Sequence, residues 1–231
     1  MIYNKDFREV VTDLDKNNTL IITDPPYNVG WSYDTYKDKV SNEDYAELFT
    51  HFKGFKFVVI HYIEDIIKYV VPSLGVPTKV IQWVYNSNMR RQHRSIAFFN
   101  CKPDLTKVKR NPKDIHDKRN YDKDGKLKLV RINDWWKIKI VTSGTNKHPE
   151  KEDYSNQIPE EVIGNIIKTT ITENSLFEDI IFDPFMGSGT TPSVASKLGY
   201  KYIACDISPK AYEITKNRLN KIENNLFNAN A

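Results

Sequence analysis

EDIIFDPFMGSGTTPSVASKLGYKYIACD, residues 178–206, is the stretch that decides the fold. An apolar run ends at Asp183, a glycine-rich turn follows, and residues 191–199 have the pattern of a helix that ends at Gly199. A second apolar run, 200–206, ends at Asp206. A strand, a helix and a strand in close succession predict two parallel strands joined by a crossover helix, the repeating unit of an α/β sheet.

The same alternation continues on both sides of this unit. Short apolar or β-branched runs predict strands at 19–24, 55–61, 78–84 and 95–102. The predicted helices are 41–52 with Ser41 as its cap, 64–71 ended by Pro72, 158–171, and one that opens at Ser208–Pro209. Strands alternating with helices indicate a largely parallel, doubly wound sheet, in which ligands bind at the carboxyl ends of the strands.

The composition is that of a folded protein with one core. Of 231 residues, 39% are hydrophobic and 28% are charged, which suits one domain with a modest insertion. The sequence has no apolar stretch long enough to cross a bilayer, and its first residues lack a signal-peptide core, so a cytoplasmic location is expected. Cys101 and Cys205 are expected to be free thiols, and without zinc spacing no metal is expected.

The basic residues are concentrated in one segment, although the net charge is only +4. Residues 102–131, KPDLTKVKRNPKDIHDKRNYDKDGKLKLVR, hold a clear excess of Lys and Arg over Asp. A cationic surface of this kind binds nucleic-acid phosphates, and a solvated loop is the alternative. Arg90, Arg91 and Arg94 lie between two predicted strands, where a phosphate-binding loop and a solvated hairpin tip are both open interpretations.

Three predicted strands end in an aspartate, at Asp24, Asp183 and Asp206, which indicates one shared site. Asp24 begins the motif Asp24-Pro25-Pro26-Tyr27. The two prolines have no N–H, so the motif presents a carboxylate and rigidly placed carbonyls as acceptors beside an aromatic ring. Such acceptors suit an amino group that donates two hydrogens, and Tyr27 would stack on the base that carries it. A tight turn with Asp24 as a helix cap is the alternative.

The turn 183–191, DPFMGSGTT, has glycines that allow a sharp bend and a close approach to a ligand. It has no lysine, so it is not a P-loop, and it does not fit the dinucleotide pattern GxGxxG. These features favour an adenosine-type ligand without phosphates to hold, with Asp206 spaced to accept hydrogen bonds from ribose hydroxyls. An ordinary turn from strand to helix is the alternative.

The motifs DPPY at 24–27 and DPFMGSGTT at 183–191 resemble those of the permuted beta class of amino-group DNA methyltransferases. Three further segments are similar to parts of that class: IYNKDF (2–7), the strand pair in 83–102, and NKHPEKEDYSNQIPEEVI (146–163). The last departs from the family pattern, because extra residues separate His148-Pro149 from Gln157-Ile158-Pro159, and Ile158 replaces a lysine.

The resemblance implies S-adenosylmethionine as the cofactor and the circularly permuted, Rossmann-like methyltransferase fold, a seven-stranded mixed sheet with 78–84 and 95–102 as an antiparallel pair at one edge. It implies one catalytic domain over 1–231 with a target-recognition insert at about 102–146. Double-stranded DNA is the expected partner, a homodimer is plausible for the class, and a restriction endonuclease counterpart is open. DPPY is associated with adenine N6, and Ser-Pro-Pro-Tyr/Trp with cytosine N4.

The resemblance and the motifs together give three sets of candidate residues. The catalytic set is Asp24, Pro25, Pro26 and Tyr27. The cofactor-binding set is Asp6, Phe7, Asp24, Asp183, Pro184, Phe185, Gly187, Ser188, Gly189, Thr190, Thr191 and Asp206, with Asp6 near the cofactor adenine. The DNA-binding set is Arg90, Arg91, Arg94, Lys107, Lys109 and Arg110. Cytosine N4 methylation, methylation of RNA or a protein amide, and an inactive nucleic-acid-binding module remain as alternatives.

Overall fold

The computed structural model describes residues 1–34, 36–87, 90–142, 148–171 and 179–229, with side chains to residue 224. The strands in these ranges are β1 Ile2–Asn4, β2 Thr19–Thr23, β3 Lys56–His61, β4 Lys79–Val84, β5 His93–Phe99, β6 Lys109–Arg110, β7 Val130–Arg131, β8 Trp135–Lys137, β9 Ile180–Asp183 and β10 Lys201–Asp206. The helices are α1 Phe7–Val11, α2 Asn42–Thr50, α3 Ile63–Asp65, α4 Val71–Leu74, α5 Glu160–Thr170, α6 Thr190–Lys197 and α7 Pro209–Ala229. A π-helical turn, Ile66–Val70, joins α3 to α4, and Lys118–Asn120 form a 3-10 turn.

The main sheet has eight strands in the order β1-β10-β9-β2-β3-β5-β4-β8. The first five of these strands are parallel to one another. Strand β5 runs antiparallel to both β3 and β4, and β8 runs parallel to β4. The mixed α/β sheet predicted from the sequence is therefore confirmed.

Alternate side chains of the central strands enter two apolar cores, one on each face of the sheet. Leu20 and Ile22 of β2 face a core that α5 and α6 close, whereas Ile21 faces the core closed by α1 and α2. All three side chains are at most 1% exposed. Complete burial of an aliphatic side chain stabilises a fold by about 1.5–3 kcal/mol, so helices on both faces are needed to hold the parallel strands.

The sheet differs from the expected seven strands, because β8 adds an eighth beside β4. The antiparallel pair of β4 and β5 is present, but β4 is not the edge strand. Trp136 is buried while Trp135 is 48% exposed, and the Trp83 indole donates a hydrogen bond to the Ile138 carbonyl. In a strand of three residues, the alternation of buried and exposed side chains is too short to be recognised in a sequence.

The helix predicted to stop at Pro72 continues to Leu74. The chain passes through a π-helical turn, in which the Val71 N–H bonds to the Ile66 carbonyl five residues back. This wider turn carries the chain to Pro72 at the start of α4, where a missing N–H is tolerated. Gly75, with φ of +83°, ends the helix instead.

Three neighbouring strands, β10, β9 and β2, bring their carboxyl ends to the same edge of the sheet. Asp206 and Asp183 are the last residues of β10 and β9, and Asp24 directly follows β2. The fold therefore places side by side three carboxylates that lie far apart in the sequence. Among the helices in the described ranges, none is long and apolar enough to cross a membrane.

Candidate active site

A cavity opens at the carboxyl ends of β2, β9 and β10. Its lining comes mainly from the loop that joins β2 to α2, the glycine loop after β9, and the segment 154–158 before α5. Asp24, Asp183 and Asp206 all line it. The structure thus brings together the three aspartates for which the sequence predicts one site.

A second cavity adjoins the first and shares lining residues with it, among them Phe185 and Asp206. Phe7, buried at the start of α1, and Pro184 also line this second cavity. Asp206 therefore lies at the boundary, with the amino-group motif on one side and an aromatic pocket on the other.

Asp24 is held from two sides. The Tyr27 hydroxyl donates to its Oδ1 atom at 2.5 Å, and Nη1 of Arg94 lies 3.4 Å from its Oδ2 atom. Burial raises the pKa of the Asp24 carboxyl, while the Arg94 charge and the Tyr27 hydroxyl act in the opposite direction. Each carboxylate oxygen has two acceptor positions, so both oxygens can still accept a hydrogen from a ligand.

The Tyr27 ring stacks on the His61 imidazole, with 4.2 Å between ring centroids and an angle of 17° between planes. One face of Tyr27 is therefore already covered by a protein ring. The guanidinium carbon of Arg94 lies over the Tyr27 ring, 5.1 Å from its centroid. Any base that stacks on Tyr27 must use the face that His61 leaves free.

His61 also fixes the backbone of the motif. Its Nδ1 atom accepts the Tyr62 backbone N–H at 2.8 Å, a shorter contact than the 3.4 Å to the Asp65 carboxylate, so we assign the ring proton to Nε2. Nε2 lies 2.9 Å from the Tyr45 hydroxyl, which donates to the Pro26 carbonyl at 2.7 Å. Burial lowers the pKa of His61 to about 3, so the imidazole in this series of hydrogen bonds stays neutral.

The glycine loop is tied to Asp206. The Gly187 N–H donates to Oδ2 of Asp206 at 3.0 Å, and the Ser208 N–H donates to Oδ1 at 2.9 Å. Burial raises the pKa of Asp206 to about 6 and that of Asp183 to about 7. Oδ1 of Asp183 accepts the Phe185 N–H at 3.1 Å, so both side chains hold the backbone around the cavity in place.

The two loop glycines serve different purposes. Gly187, with φ of +47°, lies against the cavity, and a Cβ atom there would come within 3.0 Å of the Tyr154 ring. Gly189, with φ of +74°, lines neither cavity, and a Cβ atom there would lie 2.5 Å from Oγ1 of Thr215 in α7. Gly189 thus packs against α7, and its predicted contact with the cofactor stays a prediction.

A buried arginine supports the back of the glycine loop. Nη1 of Arg218 in α7 donates to the Ser188 carbonyl at 3.0 Å and to Oγ1 of Thr190 at 3.2 Å. Nη2 of Arg218 donates to Glu160 at 2.8 Å, and Lys197 bonds the same carboxylate from the surface. Sequence reasoning did not identify Arg218 or Glu160, because α7 and α5 meet only in the fold.

The loop that joins β2 to α2 is fixed by hydrogen bonds within itself and to Ser208. Asp38 accepts the backbone N–H groups of Tyr27, at 3.1 Å, and Trp31. Asp34 accepts a hydrogen bond from the Ser208 hydroxyl at 2.7 Å. Tyr36 from this loop lines both cavities, so the loop joins the amino-group motif to the Asp206 side.

The cavity pair fits S-adenosylmethionine. Asp206 retains acceptor positions on both oxygens for ribose hydroxyls. Phe7 and Phe185 give the adjoining pocket an aromatic lining, and the space beside Gly187 is one that a side chain would fill. Ser188, Thr190 and Thr191 are buried and line the first cavity.

Asp6, which is predicted to lie near the cofactor adenine, has hydrogen-bond partners within its own turn. It caps α1 and forms a two-point ion pair with Arg8, at 2.9 Å and 2.7 Å. The Arg8 hydrogen bond lowers the pKa of this carboxyl. Asp6 lines the second cavity with Phe7, but its carboxylate is already paired within its own turn.

The residues predicted to bind DNA occupy three different environments. Arg90 and Arg91 are exposed near the start of β5. Lys109 and Arg110 form β6, and the Lys107 ammonium donates to the Ile171 carbonyl at the end of α5. The remaining residue, Arg94, is not on the outer surface as expected, because β5 directs it into the cavity beside Asp24.

Comparison with known proteins identifies the family. Residues 19–217 match the family of N6/N4 enzymes described as DNA methylase. The type II methyltransferase M.HpaI of Haemophilus parainfluenzae is 28% identical over 232 residues, covering 91% of this chain and 71% of the relative. M.BglII of Bacillus subtilis is 28% identical over 252 residues, covering 92% of this chain and 67% of the relative.

Solved structures support the same fold. The complex of M1.HpyAVI with S-adenosylmethionine superposes with a TM-score of 0.58 and 23% identity, covering 95% of this chain and 98% of that one. The cytosine-N4-specific PvuII DNA methyltransferase superposes with a TM-score of 0.65 and 16% identity, covering 94% and 85%. At these identities the likeness concerns the fold alone. The family match over most of the length shows that this chain belongs to the N6/N4 DNA methylase family.

Proposed function

We propose that this protein methylates the exocyclic N6 amino group of adenine in a short double-stranded DNA target. The observation that carries the proposal is the position of Asp24 in a cavity that Gly187 and Asp206 also line. An amino group bound at Asp24 would therefore face a methyl donor bound at Asp206. The choice of adenine follows from the resemblance, since the family motif has aspartate for adenine and serine for cytosine.

The chain's acceptors would act directly on the amino group. Adenine N6 is a poor nucleophile, because its lone pair is delocalised into the ring. Hydrogen bonds from N6 to the Asp24 carboxylate and the Pro25 carbonyl would localise that lone pair, and the loss of one such partner costs roughly 3 kcal/mol of transition-state stabilisation. When bound, S-adenosylmethionine supplies an electrophilic methyl group. The N6 nitrogen would form the N–C bond as the donor's S–C bond breaks, and the methylated amine would then release its proton to water.

The target base would have to leave the helix to reach Asp24. The Asp24 side chain is only 18% exposed and lines the cavity, where a base stacked in a duplex cannot reach it. Trp31, which is 49% exposed, lines the same cavity. We assign it to the side by which the flipped base enters.

The DNA contacts would come from one chain acting as a single catalytic domain, 1–231. Strand β8 lies within the expected insert, 102–146, but belongs to the main sheet, so we confine the recognition region to the part before β8. The β6–β7 ribbon in this part carries Lys109, Arg110 and Arg131. We place the enzyme in the cytoplasm with its DNA, and leave a homodimer and a restriction endonuclease counterpart as hypotheses.

The test is the identity of the product. The protein is incubated with DNA that lacks prior methylation and with methyl-labelled S-adenosylmethionine, and the DNA is digested to nucleosides for mass spectrometry. N6-methyladenine as the labelled product supports the proposal. N4-methylcytosine would keep the chemistry and overturn the choice of base, and the absence of any labelled nucleoside would overturn DNA as the substrate.

A further inference from the structure

Arg94 lies at the centre of the proposed base site, although its position in the sequence indicates a surface loop. Strand β5 carries it, and its guanidinium lies 3.4 Å from Asp24, 5.1 Å from the Tyr27 ring centroid and 5.5 Å from the Trp83 ring centroid. Its side chain is 15% exposed. Burying a charge is costly unless the charge is paired and fully hydrogen-bonded, and Arg94 is paired with Asp24 only at 3.4 Å.

The hydrogen bonds of Arg94 are incomplete. Its Nε atom is buried and, among the described residues, has no hydrogen-bond partner. A guanidinium selected only to hold the fold would have its donors satisfied, because an unmet buried donor destabilises the protein. The energetic cost of this unpaired Nε–H group is explained if Arg94 is retained for its effect on Asp24.

We propose that Arg94 is a positioning residue for methyl transfer, which holds the Asp24 carboxylate as an anionic acceptor oriented toward the amino group of the base. This inference rests on the proposed function, since it assigns the acceptor role to Asp24. Arg94 does not block that role, because it occupies only one acceptor position of one carboxylate oxygen.

The charges around Asp24 explain why a cation is needed. Tyr27 and Arg94 contact Asp24 directly, and four further titratable groups interact with its charge: Tyr33, Tyr45, Tyr85 and Asp183. Among these, Arg94 is the only cation, and Asp183 is a second acid. Burial raises the pKa of Asp24, and a protonated Asp24 would lose acceptor capacity. Removal of Arg94 would therefore raise this pKa further.

The first experiment compares Arg94→Gln and Arg94→Lys with the wild type in DNA methylation across a range of pH. For Arg94→Gln we expect kcat at neutral pH to fall by roughly tenfold or more, and the acidic limb of its pH profile to move upward by about one pH unit. We expect Arg94→Lys to restore most of the pH profile, because the charge is kept. KM for DNA should change little in both variants.

Arg91→Gln is the matched control, because Arg91 is an exposed arginine three residues earlier with a pairing to Glu64 at 3.9 Å. If it contacts DNA, its loss raises KM and leaves the acidic limb in place. A second readout does not use activity: the Asp24 carboxyl is titrated by carbon NMR in wild type and Arg94→Gln, with Asp24→Asn to assign the signal. We expect the Asp24 pKa to be higher in Arg94→Gln.

Three results would overturn the inference. They are an unchanged Asp24 titration in Arg94→Gln, an equal loss of activity at every pH that tracks a lower unfolding temperature, and an Arg94→Lys variant that folds but keeps none of the wild-type pH profile. If Arg94→Gln does not fold, the pH profile of Arg94→Lys tests the inference. Failure of the proposed function appears differently, as absence of a methylated base with the wild-type protein while the NMR titration still reports on Arg94.

Discussion

Gly189 and Gly199 both have a positive φ, but only Gly189 lacks room for a Cβ atom. A Cβ atom at Gly189 would lie within 2.5–2.9 Å of the Thr215 side chain, whereas at Gly199, also at positive φ, nothing lies within 4 Å. A left-handed backbone costs a non-glycine residue about 1–2 kcal/mol, and overpacking adds about 1–3 kcal/mol. Gly189→Ala should therefore lower the free energy of unfolding by about 2–5 kcal/mol, and Gly199→Ala by about 1–2 kcal/mol.

Urea denaturation of the two variants beside the wild type measures this difference. Gly199→Ala is the control, because it carries the same backbone strain without the clash. Equal losses in the two variants would show that the contact with Thr215 does not constrain the loop.

Asp206 should make cofactor binding depend on pH. Burial raises its pKa from 3.8 to about 6, so the folded, ligand-free protein binds a proton more tightly than the unfolded chain does. This contribution to stability is present at low pH and is lost as the pH rises from about 4 through 6. Ribose hydroxyls need the carboxylate, so S-adenosylmethionine should bind about tenfold more weakly at pH 5 than at pH 7.

Calorimetric titration of S-adenosylmethionine at several pH values tests this prediction. Asp206→Asn should bind more weakly at neutral pH and should lose this part of the pH dependence. Asp183, whose pKa burial raises to about 7, titrates in both proteins, so the comparison isolates Asp206. An unchanged pH dependence in Asp206→Asn would remove Asp206 from the cofactor site.

At the residue scale, the sequence predicted the site residues that belong to short motifs. Asp24, Gly187 and Asp206 were found because each lies in a recognisable turn after a strand. His61, Arg94 and Arg218 were missed or misassigned, because their partners lie 16–70 residues away. Nothing local marks such residues, since an arginine beside a strand has the same pattern whether it faces solvent or a carboxylate.

Helices α5, α6 and α7 meet at one buried ion pair behind the glycine loop. Arg218 is 5% exposed and joins Glu160 to the Ser188 carbonyl. Arg218→Gln should lower the free energy of unfolding by about 2–4 kcal/mol, because it leaves Glu160 with only its surface partner. It should also weaken S-adenosylmethionine binding, since the loop loses its support.

Lys197→Gln is the paired control, because Lys197 binds the same carboxylate from a position that is 45% exposed. An exposed pair contributes about 0–1 kcal/mol. Thermal unfolding and cofactor titration of both variants measure the difference. Equal effects of the two substitutions would contradict a special role for the buried arginine.

At the element scale, helices and strands with long periodic patterns were predicted well, and the irregular ones were not. Helix α5 begins beside Pro159 as expected and buries Val162, Ile163, Ile166 and Ile167 on one face. Strand β8 was missed because its three residues acquire their role only from pairing with β4. The end of α4 was misplaced because a π-helical turn rearranges the hydrogen bonds before Pro72.

At the scale of the molecule, the cationic ribbon should govern the affinity for DNA. Lys109 in β6 is exposed, and we propose that it contacts a phosphate. Each phosphate contact adds about 0.9 to the slope of log K against log salt concentration. Lys109→Gln should therefore weaken DNA binding at low salt and lower that slope by about one.

Lys53→Gln serves as the control, since Lys53 is exposed just before β3, at the opposite edge of the sheet from the cavity. Fluorescence anisotropy with a labelled duplex at several salt concentrations gives both slopes. A lower slope for Lys53→Gln, or none for Lys109→Gln, would place the DNA on another surface.

The order of the motifs along the chain predicted the family more securely than any one motif. The DPPY loop comes early and the glycine loop late, yet β2 and β9 are neighbours in the sheet. This arrangement brings the amino-group acceptors and the cofactor loop into one cavity. The position of the side chains within that cavity depended on packing, which motif order does not contain.

The central claim is that the carboxylate of Asp24 activates an adenine amino group. The most direct test is the initial rate of N6-methyladenine formation by the wild type and by Asp24→Asn, at saturating S-adenosylmethionine and DNA. The neutral amide has nearly the shape of the carboxylate but one acceptor fewer and no charge, so we expect a rate lower by about 100-fold or more. An Asp24→Asn protein that forms N6-methyladenine at the wild-type rate would contradict the claim.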